Sequence, residues 1–372
     1  ILRCLVGSEM CIRDRYSSQE EKEMSYAYVG CRTTKERNAR GKGLKVFEIN
    51  DKTGDWNLIQ CLKTEEENPS YQTLDNEGNF LYSVHGDKTK VSSYKILEDG
   101  TLSPLNMIDI GGKNPVFITA DRTNRFLVVA ALQGGAVYVI KRNEDGSLGE
   151  IVSETHLPGK KEGTVSFAHQ CIWDQTKTYL FVVTQGRIQG YGQVLVYRFD
   201  AENGTLTETD CFRSREYDEP RHIAIHPNNR YAYLINEKGN KMTYFGFDAE
   251  NGKLHARQNL PTLPETYTGE GQASASLLDK NGEILIGSNR IHESIVLYRI
   301  DQETGYMKEL GYYPAMGLTP RFITFNPDYS RFYMANEDSD TIIEMKLDSE
   351  QGRMEYTGRV IAAESPVCIT FR

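Results

Sequence analysis

The chain has 372 residues and a formal net charge of -9 at pH 7. This acidic balance argues against a nucleic-acid-binding protein, which normally carries a basic patch. The sequence has no run of about 18 apolar residues, so we expect no membrane-spanning helix. The 22 tyrosines, 32 glycines and 12 prolines favour many short strands separated by turns over a helix bundle.

The first 23 residues stand apart from the pattern that follows. Residues 1–15, ILRCLVGSEMCIRDR, show neither strand alternation nor a helical period, and they resemble translated read-through of a sequencing adapter. We therefore expect an N-terminal segment at 1–23 and one domain at 24–372, with Met24 as a candidate native start; a disordered native tail is the alternative. No signal peptide is evident, and seven cysteines without a C-x-x-C pair predict a reduced, cytoplasmic protein.

A hairpin pattern then repeats along the chain. Each copy has an alternating strand, a turn rich in Asn, Asp and Gly, and a second apolar strand, which together predict an antiparallel hairpin. The copies are NPSYQTLDNEGNFLYSVHG (68–86), NPVFITADRTNRFLVVAAL (114–132), AHQCIWDQTKTYLFVVTQG (168–186), EPRHIAIHPNNRYAYLINE (219–237), ASASLLDKNGEILIGSNR (273–290), TPRFITFNPDYSRFYMANE (319–337) and SPVCITF (365–371). They recur about every fifty residues, a spacing typical of propeller blades.

Two more strands complete each repeat. A third strand such as GQVLVYRFD follows each hairpin, and a fourth, such as the leucine-led NGTLTET, follows a glycine-containing turn. Four antiparallel strands make a propeller blade. The seventh copy ends after one strand, and SYAYVGC, GKGLKVFEIN and DWNLIQCL near the N-terminus supply the other three. The sequence therefore predicts an all-β, seven-bladed β-propeller whose last blade is closed by strands from both ends, which removes an exposed sheet edge.

If the first strand of each blade lines the central channel, the starts of first strands and the ends of second strands meet at one mouth. Arg221 and Glu237 are then neighbours at one edge of a hairpin. A single surface Arg–Glu pair contributes only about 0–1 kcal/mol, but convergence of several cations and carboxylates in a concave mouth predicts a site. The titratable residues assigned to this mouth are His85, His169, Arg221, His222, Glu237, Arg290, Arg321 and Glu337. Packing between blades is the alternative for His222, and a loop position is the alternative for His85.

These residue types indicate a reaction on an anionic small molecule. The arginines present planar donors that suit a carboxylate, a phosphate or a developing oxyanion. His169 is suited to proton transfer, and Glu237 either orients it or acts as a base itself. No serine or cysteine has a nucleophile-elbow context, and no glycine-rich loop opens a helix. The arginines would repel a cation, so we predict neither a metal nor a cofactor.

Several segments resemble the seven-bladed propeller lactonase family, which includes a bacterial type of 6-phosphogluconolactonase and the fungal carboxy-muconate lactonizing enzymes. They are YVGCRT, NPSYQTLDNEGNFLYSV, PRHIAIHPNNRYAYLINE, SNRIHESIVLYRID, PRFITFNPDYSRFYMANEDSDTI and SPVCITF, and the resemblance covers residues 24–372. Carried over to this chain, the family's catalytic residues are His169 in AHQ, Arg221 in PRH, Glu237 in NE and Arg290 in SNR.

The resemblance implies hydrolysis of a sugar lactone, with 6-phosphogluconolactone of the oxidative pentose phosphate pathway as the first choice. His169 with Glu237 would activate water, while Arg321, His222 and His85 would help to bind a small anionic lactone. The chain departs from some bacterial members at 131–133 and at 160–170, which leaves the exact substrate open.

A muconate-type cycloisomerase and a non-catalytic interaction platform are the alternatives. One arginine cluster would indicate a phosphate and two separated clusters a dicarboxylate. An enzyme should place His169 within reach of Glu237 in a sheltered pocket. The oligomeric state stays open.

Overall fold

The computed structural model describes residues 24–372; the segment 1–23, with its suspected artefact, lies outside the described residues. The three N-terminal strands are β1 (Met24–Cys31), β2 (Leu44–Asn50) and β3 (Trp56–Leu62). Blade 1 contains β4 (Pro69–Leu74), β5 (Phe80–His85), β6 (Lys90–Ile96) and β7 (Leu102–Asp109). Blade 2 contains β8 (Pro115–Ala120), β9 (Phe126–Ala131), β10 (Ala136–Arg142) and β11 (Leu148–His156). Blade 3 contains β12 (Phe167–Trp173), β13 (Tyr179–Gln185), β14 (Gln193–Asp200) and β15 (Thr205–Arg213).

The remaining blades repeat this plan. Blade 4 contains β16 (Pro220–Ile225), β17 (Tyr231–Asn236), β18 (Lys241–Asp248) and β19 (Lys253–Pro261). Blade 5 contains β20 (Gln272–Leu278), β21 (Ile284–Arg290), β22 (Ser294–Ile300) and β23 (Met307–Pro314). Blade 6 contains β24 (Pro320–Phe325), β25 (Phe332–Asn336), β26 (Thr341–Asp348) and β27 (Arg353–Ala362). Blade 7 combines β28 (Pro366–Phe371) with β1, β2 and β3, and two short 3-10 helices occupy Lys35–Arg37 and Glu337–Ser339.

The predicted closure of the ring is confirmed. Strand β28 pairs antiparallel with β1, from Ala27 opposite Phe371 to Cys31 opposite Pro366. Neighbouring first strands contact one another around the ring, so they line the central channel. Within residues 24–372, no helix is long and apolar enough to cross a membrane.

Buried tyrosines join consecutive blades. Tyr28, Tyr82 and Tyr233 lie on second strands and are fully buried. Their hydroxyl groups donate to the carbonyl oxygens of Gly100, Gly146 and Gly305, at 3.0, 2.9 and 2.8 Å. Because a buried tyrosine hydroxyl needs a hydrogen-bond partner, these three pairs of neighbouring blades are joined by a polar contact as well as by apolar packing.

An irregularity at the start of first strands positions side chains at the channel mouth. The pairing register shifts by one residue between Pro69 and Tyr71, between Pro220 and His222, and at the matching places in blades 2, 3 and 6. A β-bulge of this kind leaves one residue unpaired and redirects its side chain. The residues at these bulges are Ser70, Val116, His169, Arg221 and Arg321.

Candidate active site

The second strand of each blade contributes one further residue to the mouth. A residue at the start of the first strand pairs with a residue at the end of the second strand, and the residue after that partner lies at the mouth. For example, Pro220 pairs with Asn236, and Glu237 follows. We call this place the rim position. The residues at the rim position are Arg32, Gly86, Leu132, Gln185, Glu237, Arg290 and Glu337.

Arg221, Glu237 and Arg290 form a cluster that we call the Glu237 triad. Arg221 Nε lies 3.4 Å from Glu237 Oε2, and Arg290 Nη2 lies 3.3 Å from Glu237 Oε1. Gln185 Nε2 donates to Glu237 Oε2 at 2.9 Å. The Arg221 side chain is 3% exposed and that of Glu237 is 15% exposed, so water screens these charges weakly.

The charges of the Glu237 triad depend on one another. Burial raises the pKa of Glu237, but Arg290 and Arg221 outweigh it, and the net pKa of Glu237 is lowered. Burial is also the main cause that lowers the pKa of Arg221 well below its usual range, and the neighbouring arginines act in the same direction. Glu237 is therefore ionised near neutral pH, with its charge compensated by two guanidinium groups.

A second cluster, the Glu337 triad, lies at the same mouth. Arg32 Nε lies 3.0 Å from Glu337 Oε1, and Arg321 Nη1 lies 3.5 Å from Glu337 Oε2. Arg32 Nη1 is also 3.5 Å from Asp87 Oδ2. The positive charge of Arg321 acts on the pKa of Arg221, which indicates that the two triads share one electrostatic environment.

Arg32 was missed by sequence reasoning although its signal was present. It belongs to the YVGCRT segment and follows β1, which is the second strand of blade 7. The predicted second-strand ends came only from the six complete hairpins. Blade 7 joins both ends of the chain, so its rim position does not belong to any of these hairpins.

His169 and His222 pack against each other beside the Glu237 triad. Their ring centroids are 5.2 Å apart, and Arg221 Nη1 lies 3.4 Å from both ring nitrogens of His222. Burial is the main cause that lowers the pKa of His169 well below its usual value, and the charge of Arg221 adds to it. The imidazole of His169 is therefore neutral at neutral pH.

The expected contact between His169 and Glu237 is not formed. Within residues 24–372 no hydrogen bond joins these side chains; the Glu237 carboxylate is occupied by Arg221, Arg290 and Gln185. His169 Nδ1 is buried without a hydrogen-bond partner. The sequence predicted that the Glu237 carboxylate would contact His169. The positive charges of Arg221 and Arg290 attract this carboxylate more strongly than a neutral imidazole does.

The structure does not bring His85 to the mouth. Its Nδ1 lies 2.9 Å from the carbonyl oxygen of Glu67, and its Nε2 lies 2.7 Å from Ser92 Oγ. The rim position of blade 1 is Gly86, one residue further along. Since successive side chains of a strand point to opposite faces, an offset of one residue turns His85 into the blade instead of into the channel.

The mouth contains buried polar atoms that the protein leaves without well-aligned hydrogen bonds. They are His169 Nδ1, Arg221 Nε, Arg290 Nε, and Nε and Nη1 of Arg32. Buried donors in folded proteins normally have well-aligned partners, so this concentration of incompletely satisfied nitrogens indicates a place for an acceptor-rich ligand. Among the described residues, no group of three or more His, Cys, Asp and Glu side chains is placed to hold a metal ion.

A cavity of about 530 Å³ opens beside Glu237. Its lining residues are Gln185, Arg187, Ile188, Tyr217, Glu219, Glu237 and Lys238. It offers room for a small ligand next to the Glu237 triad, with the exposed side chains of Ile188 and Tyr217 at its edge.

Comparisons with known proteins agree with this architecture. A family model described as "Lactonase, 7-bladed beta-propeller" matches residues 26–371. A 6-phosphogluconolactonase of Bacillus subtilis strain 168 is 27% identical over 310 residues, which cover 82% of this chain and 87% of that protein. A 6-phosphogluconolactonase of Formosa agariphila is 28% identical over 348 residues, which cover 88% and 94% of the two chains.

A solved structure has the same fold at lower sequence identity. The periplasmic gluconolactonase of Pseudomonas aeruginosa superposes with a TM-score of 0.84 at 23% identity, and the match covers 94% of this chain and 99% of that one. The location of that protein means that the cytoplasmic location expected for this chain stays a prediction. The match of the family model over nearly the whole propeller shows that the chain belongs to the seven-bladed β-propeller lactonase family.

Proposed function

We propose that this protein hydrolyses a sugar lactone, 6-phosphogluconolactone, to 6-phosphogluconate in the cytoplasmic pentose phosphate pathway. The observation that carries the proposal is the pairing of two Arg–Glu–Arg triads with a neutral histidine at one mouth, where several buried donors have no partner. The names of the two curated relatives support the same substrate.

The Glu337 triad is assigned to the phosphate group. Arg321 is the more accessible of its two arginines, with 23% of its side chain exposed, and it holds its carboxylate partner loosely at 3.5 Å. A guanidinium fork matches the geometry of phosphate oxygens. A phosphate on Arg321 and Arg32 would hold the far end of the sugar and leave the lactone ring toward the Glu237 triad.

Arg221 and Arg290 are assigned to the lactone carbonyl. Attack by water forms a new C–O bond and moves the carbonyl electron pair onto oxygen. Arg290 Nε, which has no hydrogen-bond partner, and Arg221 Nε, whose 3.4 Å contact with Glu237 Oε2 is poorly aligned, are the donors that can meet this charge. Fixed donors aimed at a developing oxyanion stabilise the transition state more than the substrate. Glu237 keeps the two guanidinium groups in place and limits their mutual repulsion.

His169 is assigned as the acceptor of the proton from water. It is neutral, and its Nδ1 has no partner within the protein. The arginine charges oppose its protonation in the free enzyme, but the negative charge of the substrate and of the oxyanion would offset them and raise its proton affinity. The ring C–O bond then breaks, and the product is a hydroxy acid.

A muconate-type cycloisomerase is the second candidate because the arginines form two groups instead of one. That arrangement is the one expected for a substrate with two separated carboxylates. It also fits 6-phosphogluconate, which carries a phosphate at one end and the newly formed carboxylate at the other. The two candidates therefore differ in the reaction, and an assay separates them.

The test is a coupled assay of 6-phosphogluconolactone hydrolysis with the purified protein, measured above the spontaneous rate. We expect an enhanced rate that Glu237→Gln removes while the variant remains folded. Unphosphorylated gluconolactone and a muconate-type diacid are assayed in parallel. Conversion of the diacid alone would favour the cycloisomerase, and a folded protein without activity on any of them would contradict the enzyme proposal.

A further inference from the structure

A second carboxyl group lies beside Glu237 in the cavity of about 530 Å³. Glu219 directly precedes Pro220, and its carbonyl oxygen accepts a hydrogen bond of 2.7 Å from the backbone N–H of Glu237. Its Oε1 accepts a hydrogen bond of 2.8 Å from the backbone N–H of Arg187. Its Oε2 is buried and has no hydrogen-bond partner.

The corresponding residues of other blades show what this position requires. Asn68 and Asn114 also precede first-strand prolines, with φ angles of 53° and 60°, and Glu219 has a φ of 53°. Asn68 Oδ1 accepts from the backbone N–H of Thr33 at 2.8 Å, and Asn114 Oδ1 accepts from that of Asp87 at 2.7 Å. Each side chain thus caps the loop of the preceding blade with one oxygen.

Glu219 performs the same capping with Oε1, and its carboxyl group carries a second oxygen that could hold an acid proton. Asparagine adopts the left-handed conformation more easily than glutamate does, and it would supply the single acceptor that the loop needs. The longer side chain differs from asparagine in bringing a carboxyl oxygen into the cavity beside Glu237.

The surroundings of the two carboxyl groups are opposite. Glu237 lies between two arginines and keeps its charge. Burial raises the pKa of Glu219; the backbone N–H groups of Arg187 and Gly186 and the charge of Arg187 offset this only partly, and the negative charge of Glu237 adds to the rise. The surroundings therefore favour the acid form at Glu219 and the ionised form at Glu237.

We propose that Glu219 is the proton donor to the ring oxygen of the lactone. This assignment rests on the proposed hydrolysis. When the tetrahedral intermediate collapses, the C–O bond to the ring oxygen breaks, and its electron pair takes the proton from the Glu219 carboxyl group to give a hydroxyl group. The proton that His169 removed from water returns through solvent to the Glu219 carboxylate. One water is consumed, and the acid group of the product then ionises.

Protonation matters at this step because an alkoxide is a poor leaving group. General acid catalysis by a positioned side chain contributes about 10²- to 10⁴-fold. The acid form of Glu219 is the active form, so the rate should fall as the pH rises through its raised pKa. An alkaline limb of the profile of kcat against pH is the expected signature.

The experiment compares the full-length protein with its Glu219→Gln and Glu219→Asp variants in the 6-phosphogluconolactone assay across pH. Glutamine keeps the Oε1 acceptor for the Arg187 N–H and removes the acid, so we expect kcat to fall about 100-fold, KM to change little and the alkaline limb to disappear. Aspartate keeps a carboxylic acid, so Glu219→Asp should retain part of kcat and the alkaline limb of its pH profile. Glu216→Gln is the matched control, since Glu216 is a nearby surface residue paired with Lys160.

The outcomes separate this proposal from the proposed function. No hydrolysis by the unmodified protein would refute the lactonase function and the proton donor with it. Hydrolysis that Glu219→Gln leaves within about twofold of the unmodified protein would overturn only the role of Glu219. A large loss with the alkaline limb still present, or with a lowered melting temperature, would assign Glu219 to loop capping alone and would also overturn the proposal.

Discussion

The two Arg–Glu–Arg triads have the same plan but different surroundings. In the Glu237 triad the carboxylate interacts with two nearly buried arginines and Gln185. In the Glu337 triad, Arg32 also faces Asp87, which is held in turn by Arg37. The first triad therefore has one uncompensated positive charge in a buried site, while the second distributes its charges over a wider network.

This difference suggests a division of labour. A buried cluster with excess positive charge is organised in advance for negative charge that appears during a reaction, because water does not screen it. The Glu337 triad spreads its charges over more partners, and its Arg321 side chain is 23% exposed, so it can exchange a carboxylate partner for a ligand anion at a lower cost. The Glu237 triad and its histidines are suited to the chemical step, and the Glu337 triad is suited to anchoring.

The largest expected effect is on turnover, at the histidine beside the Glu237 triad. His169→Gln should lower kcat/KM for 6-phosphogluconolactone by about 10³-fold, since it removes the proton acceptor. Stability should change little because His169 Nδ1 has no hydrogen-bond partner to lose. The measurements are the pH-controlled assay and a thermal melt, with His156→Gln as control because that side chain is 76% exposed. Equal rates for the two variants would contradict the assignment.

The next effect is on stability and distinguishes the two triads directly. Glu237→Gln leaves two buried guanidinium groups without a counter-charge and should cost about 3–5 kcal/mol at neutral pH. Glu337→Gln should cost less, because Asp87 still compensates Arg32. Urea unfolding of both variants and of the surface control Glu355→Gln measures this. Equal losses of stability in the two variants would contradict the different compensation of charge in the two triads.

The contribution of Glu237 to stability should depend on pH in a predictable direction. The pKa of Glu237 is lowered in the folded protein, mainly because Arg290 and Arg221 outweigh the opposing effect of burial. Its stabilising contribution is therefore present above its unfolded pKa and is lost as the pH falls through the folded pKa. The difference in unfolding free energy between the protein and Glu237→Gln should be largest near neutral pH and should shrink in acid. A constant difference would show that the substitution acts through packing.

A smaller effect is expected on substrate affinity at the Glu337 triad. Arg321→Ala should raise KM for 6-phosphogluconolactone about 10- to 100-fold, the value of one or two hydrogen bonds to a charged group, with kcat nearly unchanged. KM for unphosphorylated gluconolactone should stay the same. Arg353→Ala on the outer strand is the control, since its side chain is exposed. An equal rise in KM for both lactones would move the phosphate away from Arg321.

The fold was predictable because the repeat carries redundant information. Seven copies of one hairpin fix the number of blades, and the unfinished last copy requires the N-terminal strands to complete it. Sheet register is less predictable, since a bulge adds one residue without changing the alternation that follows. The bulges at His169, Arg221 and Arg321 explain why first-strand starts point into the channel, and no sequence pattern identified them.

The site could be predicted only in part for the same reason. Glu237 and Arg290 were chosen correctly as residues of the mouth because the strands before them end where the repeat indicates. The predicted neighbourhood of Arg221 and Glu237 is confirmed, but the expected contact between His169 and Glu237 is not formed, since the sequence does not show that Arg290 and Gln185 also occupy the carboxylate. Glu219 was passed over because a residue before a turn proline gives no sign of the cavity that it faces.

The smallest of the expected effects is at His85, whose side chain the strand register turns into blade 1. Both of its ring nitrogens have partners inside blade 1, the Glu67 carbonyl and Ser92 Oγ. His85→Ala should therefore lower the free energy of unfolding by about 1–3 kcal/mol, the cost of leaving buried polar groups unpaired, while kcat and KM per folded molecule stay unchanged. His169→Gln should show the reverse pattern, with turnover lost and stability kept. If His85→Ala instead raised KM without loss of stability, its side chain would contact substrate, and the rim position of blade 1 would have to be reassigned from Gly86 to His85.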